Sequence, residues 1–90
     1  MDCTLSNHAK EQGKARNISV EIIDQVINFP GQIIEEEELG QKIYQSIVAF
    51  PENRTYLVRV FVSTNEGRTI VKTVYKTSKI DKYDESKVRS

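Results

Sequence analysis

Residues 55–77, TYLVRVFVSTNEGRTIVKTVYKT, constrain this chain more than any other stretch. Residues 55–64 and 69–77 are rich in Val, Ile, Phe, Tyr and Thr, side chains that suit a pleated, half-buried surface. Between them Asn65-Glu66-Gly67 is a turn signal, because glycine adopts positive φ without a steric cost. The pattern predicts two long antiparallel strands joined as a hairpin. Side chains alternate between the faces of a strand, so Tyr56, Val58, Val60 and Val62 form an unbroken apolar face. Leu57, Arg59 and Phe61 take the opposite face. A guanidinium in the middle of a central strand needs a reason, since arginine is seldom buried unless it is paired or serves a ligand.

Ninety residues suit one compact domain, expected over residues 1–90 with the first four residues and the tail 85–90 flexible. Residues 6–17 read as a short helix with Ser6 as N-cap, weakened at Gly13 by about 1 kcal/mol relative to alanine. Ser19 is the expected N-cap of a second helix, VEIIDQVIN, with Ile18 placed as a staple residue. Ile22, Val26 and Phe29, flanked by Ile23 and Ile27, make its apolar stripe, and Pro30-Gly31 stops it. Residues 32–38 are expected as an edge strand with an acidic end. Residues 42–50 follow as a strand with Ile43, Ile47 and Ala49 on one face and Tyr44, Val48 and Phe50 on the other. Residues 51–54 connect it to the hairpin. The expected fold class is α+β: two N-terminal helices packed on a four-stranded antiparallel sheet, ααββββ. The helices would cover the valine face and leave the Arg59 face partly open.

The formal net charge is zero, yet residues 1–52 hold four basic groups against nine acidic ones, and residues 53–90 reverse the balance. Such a split points either to an anionic partner for the second half or to oppositely solvated surfaces. The single Cys3 excludes a disulfide framework within one chain. The N-terminus lacks a basic segment followed by an apolar one, and no apolar run is long enough to span a bilayer. The expectation is a cytoplasmic protein with no membrane partner. The four glutamates at 35–38 would point alternately to opposite faces of a strand, which suits a solvated edge better than a metal site. No second His or Cys stands at metal spacing from His8, Ser46 and Ser63 lack a nucleophile-elbow context, and there is no glycine-rich phosphate loop. No metal and no cofactor is therefore expected.

What remains is a basic and hydroxyl-bearing set in the second half: Arg59, Lys72, Thr73, Tyr75, Lys76, Lys79, Lys82 and Tyr83. Strand alternation puts Thr73 and Tyr75 on one face and Lys72 and Lys76 on the other. If Thr73 and Tyr75 share the Arg59 side, a guanidinium, a hydroxyl and a phenol converge, a set that suits a phosphodiester. Otherwise Tyr75 is a core aromatic and Thr73 a strand former. His8 reads either as an acid–base group near neutral pH or as a surface histidine at a helix cap.

The order of motifs HAK, RNISVEII, FP, RVFV, IVKTVY and TSKIDKY, from His8 to Tyr83, resembles a family of small bacterial proteins. It is similar to the BrnT- and RelE-type toxins, within the wider barnase–colicin–RelE group of metal-independent ribonuclease folds. The resemblance implies the toxin of a type II toxin–antitoxin pair that cleaves mRNA, free or ribosome-bound, and that is neutralised by a cognate antitoxin. It implies catalytic roles for His8, Arg59, Thr73 and Tyr75, with Lys10, Arg16, Lys79, Lys82 and Tyr83 as RNA contacts. Many relatives carry an arginine where this chain has Gln12, and a glycine where it has Asn17. A non-catalytic RNA- or protein-binding module of the same fold is the alternative.

Overall fold

The computed structural model describes residues 3–51 and 53–80, the Asn65 side chain aside. In chain order these form β1 (Cys3–Leu5), α1 (Asn7–Ala15), α2 (Val20–Asn28), β2 (Gln32–Glu36), β3 (Gln41–Phe50), β4 (Arg54–Asn65) and β5 (Arg68–Thr77). The strands make one five-stranded sheet in the order β1-β5-β4-β3-β2. The α+β class and the helix-on-sheet layout match expectation. The four-stranded, all-antiparallel sheet does not: Cys3–Leu5 adds a fifth strand, parallel to β5 and in register with Thr69–Val71. Three residues carry too little periodicity to signal a strand, and this one exists only through a partner far along the chain. Ser6 extends the seam, its N–H donating to the Val71 carbonyl at 3.0 Å.

Local chemistry accounts for both helices. Ser6 and Ser19 are the N-caps, their hydroxyls accepting from the N–H of Ala9 and Ile22 at 3.0 and 3.2 Å. The end of α1 is a Schellman motif. Asn17 takes φ 55°, the Ile18 N–H donates to the Gly13 carbonyl at 2.8 Å, and the Asn17 N–H to the Lys14 carbonyl. Asparagine tolerates this left-handed position better than most side chains. Gly13 is required by a close approach: a Cβ there would sit 2.9 Å from the Ile18 carbonyl oxygen. Phe29 drops out of the expected apolar stripe. Helix α2 stops at Asn28, and Phe29 is 78% exposed. The acidic strand also stops early, at Glu36, and Glu37–Leu39 form a 3-10 turn closed by Gly40 at φ 61°.

The core lies between the helices and one face of the sheet. Ala9, Ile18, Ile23 and Val26 bury against Val58, Val60, Val62, Val71 and Val74. Val71 and Val74 are three residues apart, so strict alternation cannot turn both inward. A β-bulge resolves this. Phe61 pairs with Thr73 but Val62 pairs with Val71, which leaves Lys72 as the extra residue. The bulge switches the facing of β5, so Val71 points to the helices while Thr73 and Tyr75 point away from them. It also separates the two lysines that alternation puts together. Lys76, opposite Val58, stays on the helix side with its ammonium 4.3 Å and 4.8 Å from the Phe50 and Tyr56 rings. Lys72 reaches the opposite face, where its Nζ donates to Gln41 Oε1 at 3.3 Å.

Candidate functional site

On the face away from the helices, register builds a row of polar side chains across four strands. Gln32 stands opposite Gln45, Gln45 opposite Arg59, and Arg59 opposite Tyr75. The side chains join along that row. Gln45 Nε2 donates to Gln32 Oε1 at 2.6 Å, Arg59 Nε donates to Gln45 Oε1 at 2.9 Å, and Arg59 Nη1 donates to the Tyr75 hydroxyl at 2.6 Å. All four side chains make further interactions, so none is a free group. Gln45 is 1% exposed and Arg59 8%, which answers how a central strand carries a guanidinium: Nε and Nη1 each donate to a side-chain oxygen on a neighbouring strand.

The guanidinium is also held by rings. Phe61 and Tyr75 stack with centroids 5.9 Å apart and planes at 24°. The Arg59 Cζ lies 5.3 Å from the Phe61 centroid and 5.7 Å from that of Tyr75, within cation–π range. The neighbouring row, Ile34–Ile43–Phe61–Thr73, is apolar until its last member. Beyond it a second polar row runs from Glu36 through Gln41, whose Nε2 donates to Glu36 Oε1 at 2.5 Å, to Lys72. The bulge thus places two cations, Arg59 and Lys72, on one face with the Thr73 hydroxyl and the Tyr75 phenol. At the β3–β4 connection, hydrogen bonding to Tyr56 raises the Arg54 pKa further above its ordinary value, so this exposed guanidinium is charged at any working pH.

Of the residues expected from sequence to act, the structure brings together Arg59, Thr73 and Tyr75. His8 is not among them. It is exposed on the first turn of α1, in the layer on the other side of the sheet, and its imidazole makes no hydrogen bond or ion pair among the described residues. Lys10 and Arg16 are exposed on and just after the same helix. Lys79 is exposed past the end of β5, and its N–H donates to Thr77 Oγ1 at 3.1 Å. Lys82 and Tyr83 lie outside the described residues, as does the tail 85–90. Sequence reasoning missed Gln45 and Gln32. The signal was present: the short 51–53 connection fixes the pairing of β3 with β4, and counting back from it brings the polar residue inside KIYQSIVAF opposite Arg59.

Among the described residues no three of His, Cys, Asp and Glu come together as a metal site, and no helix is long and apolar enough to cross a membrane. The sequence pattern of a family described as "Domain of unknown function (DUF4258)" matches residues 5–76. No curated protein and no solved structure matches the chain.

Proposed function

From the premise that this chain belongs to the DUF4258 family, a domain of unknown function, we propose that it is the toxin of a type II toxin–antitoxin pair, a metal-independent endoribonuclease acting on mRNA from the Arg59 face of its sheet. The observation that carries the reading is the convergence of Arg59, Thr73 and Tyr75 on that face, with Lys72 turned toward it by the bulge. In this proposal the 2′-hydroxyl of RNA attacks the adjacent phosphorus. The 2′-O–P bond forms, the P–O5′ bond breaks, and the products are a 2′,3′-cyclic phosphate and a 5′-hydroxyl. Arg59, pre-oriented by Gln45, offsets the charge on the pentacoordinate phosphorus, and Thr73 donates to one of its oxygens. Tyr75 carries the proton lost by the 2′-hydroxyl to the departing 5′-oxygen, since His8 lies in the other layer. The partners are mRNA, free or on the ribosome, and a cognate antitoxin, all in the cytoplasm.

The test is incubation of purified protein with mRNA and with translating ribosomes in EDTA. Fragments ending in 2′,3′-cyclic phosphate are expected, and Arg59→Ala or Tyr75→Phe lowers the rate about 100-fold or more. Intact RNA under both conditions rejects the enzyme. A second reading, a non-catalytic RNA- or protein-binding module, is favoured by one observation: Arg59 is 8% exposed and already bonded to Gln45 and Tyr75. RNA binding that weakens with salt, without cleavage, selects it.

A further inference from the structure

A groove of about 670 Å³ runs between α1 and α2, remote from the Arg59 face. Its floor is apolar, built from Ala9, Ile18 and Ile23 with Leu5 of β1 at one end. Val20, 55% exposed, forms part of its wall. Lys10 and Lys14, four residues apart and so on one side of α1, also line it. Among the described residues no carboxylate lines the groove, and neither lysine's ammonium has an ion-pair or hydrogen-bond partner. A volume of this size takes several apolar side chains and falls within the ordinary range of ligand-binding clefts. Ala9, Ile18 and Ile23 are core side chains with at most 4% exposed, so the apolar surface open to a partner is that of Val20 and the half-buried Leu5.

We propose that this groove docks an amphipathic helical segment of a partner protein, one whose apolar stripe packs on Val20 and Leu5 above the floor and whose carboxylates flank it to meet Lys10 and Lys14. Charge complementarity decides the occupant. Val20 and Leu5 reward leucine-like anchors at helical spacing, and two ammonium groups on one wall, without a partner among the described residues, select an acidic border over a basic one. A nucleic acid would meet Lys10, Lys14, Asn17 and Ser19 at the wall but leave the Val20 and Leu5 surface uncovered, which an apolar stripe would bury. The proposal stands independently of the ribonuclease reading: a chain that never cleaves RNA would keep the groove.

The probe is a 16-residue synthetic helix with leucines at i, i+3, i+4 and i+7 bordered by glutamates, set against a twin bordered by lysines. Both are titrated into the ¹⁵N-labelled full chain. The glutamate peptide is expected to shift the amides of residues 9–23 and to bind at least tenfold more tightly than the lysine twin. Lys10→Glu/Lys14→Glu should reverse that preference, and Val20→Asp, at an exposed position that leaves the core intact, should weaken binding of either peptide. Equal binding of the two peptides, shifts that map to the Arg59 face, no binding of the glutamate peptide, or a preference that survives the double charge reversal would each overturn the proposal. RNA cleavage assayed on the same samples keeps this outcome separate from that of the ribonuclease reading.

Discussion

At the scale of single residues, two positions take their meaning from a neighbour: Gly13 from a carbonyl five residues on, and Tyr75 from Arg59 across the sheet. Gly13 looks like a weak point in α1, and helix propensity alone says that Gly13→Ala should stabilise by about 1 kcal/mol. The carbonyl of Ile18, 2.9 Å from where the new Cβ would be, says the opposite. It belongs to the backbone and is held by the turn into α2, so Gly13→Ala is expected to destabilise the fold by about 1–3 kcal/mol, read from the urea midpoint. Tyr75 presents a simpler case. Tyr75→Phe keeps the ring stacked on Phe61 but removes the acceptor of the 2.6 Å bond from Arg59. Because Tyr75 is partly exposed, the expected cost is about 1–2 kcal/mol, below the upper end for bonds to charged groups. If stability falls and ribonuclease activity does not, Tyr75 is structural and drops out of the proposed mechanism.

At the scale of elements, the β5 bulge and the α1 cap form one device. The Ser6 hydroxyl accepts from the Ala9 N–H and donates to the carbonyl of Lys72, the extra residue of the bulge. One side chain therefore holds the start of a helix and the irregularity of a strand. Ser19 caps α2 without a second tie of its hydroxyl among the described residues. Ser19→Ala should cost about 1 kcal/mol, and Ser6→Ala about 2 kcal/mol, since it leaves a carbonyl as well as an N–H without its partner. Chemical denaturation of the two variants side by side measures the difference. Amide exchange should show Ser6→Ala loosening residues 71–73, which Ser19→Ala leaves unchanged. Equal costs, with no change in β5, would mean that the bulge is held by core packing alone.

At the scale of the molecule, the sheet divides its labour by face. The valine face meets the helices, and the other carries the polar rows. Strand β1 closes one edge through β5 by a parallel pairing over Cys3–Leu5 and Thr69–Val71. Removing residues 1–5 would uncover the β1-facing edge of residues 69–71, whose other edge stays paired with β4, and an open edge is a template for pairing with another chain. The truncated protein is expected to unfold at lower urea concentration and to self-associate at concentrations where the full chain does not, as sedimentation velocity would show. A truncation that stays as stable and as monomeric as the parent would assign β1 no structural role.

The sequence by itself determined whatever depends on near neighbours. Both serine caps, the αL tolerance of Asn17, the VEIIDQVIN helix, the three long strands and the alternation that sets Arg59 opposite the valine face were all legible, because capping, turn chemistry and period-2 patterning act over a few residues. Tertiary structure decided the rest. A three-residue strand such as β1 has no identity until β5 lies beside it. The bulge at Lys72 arises from the need to bury both Val71 and Val74 against helices elsewhere in the chain, and that need, not alternation, turns Thr73 and Tyr75 toward Arg59. Gln45 satisfies the guanidinium only because register carries it across the sheet. His8 stands apart from that group for the same reason: which layer a helix occupies is a property of the packed chain, and no local pattern encodes it.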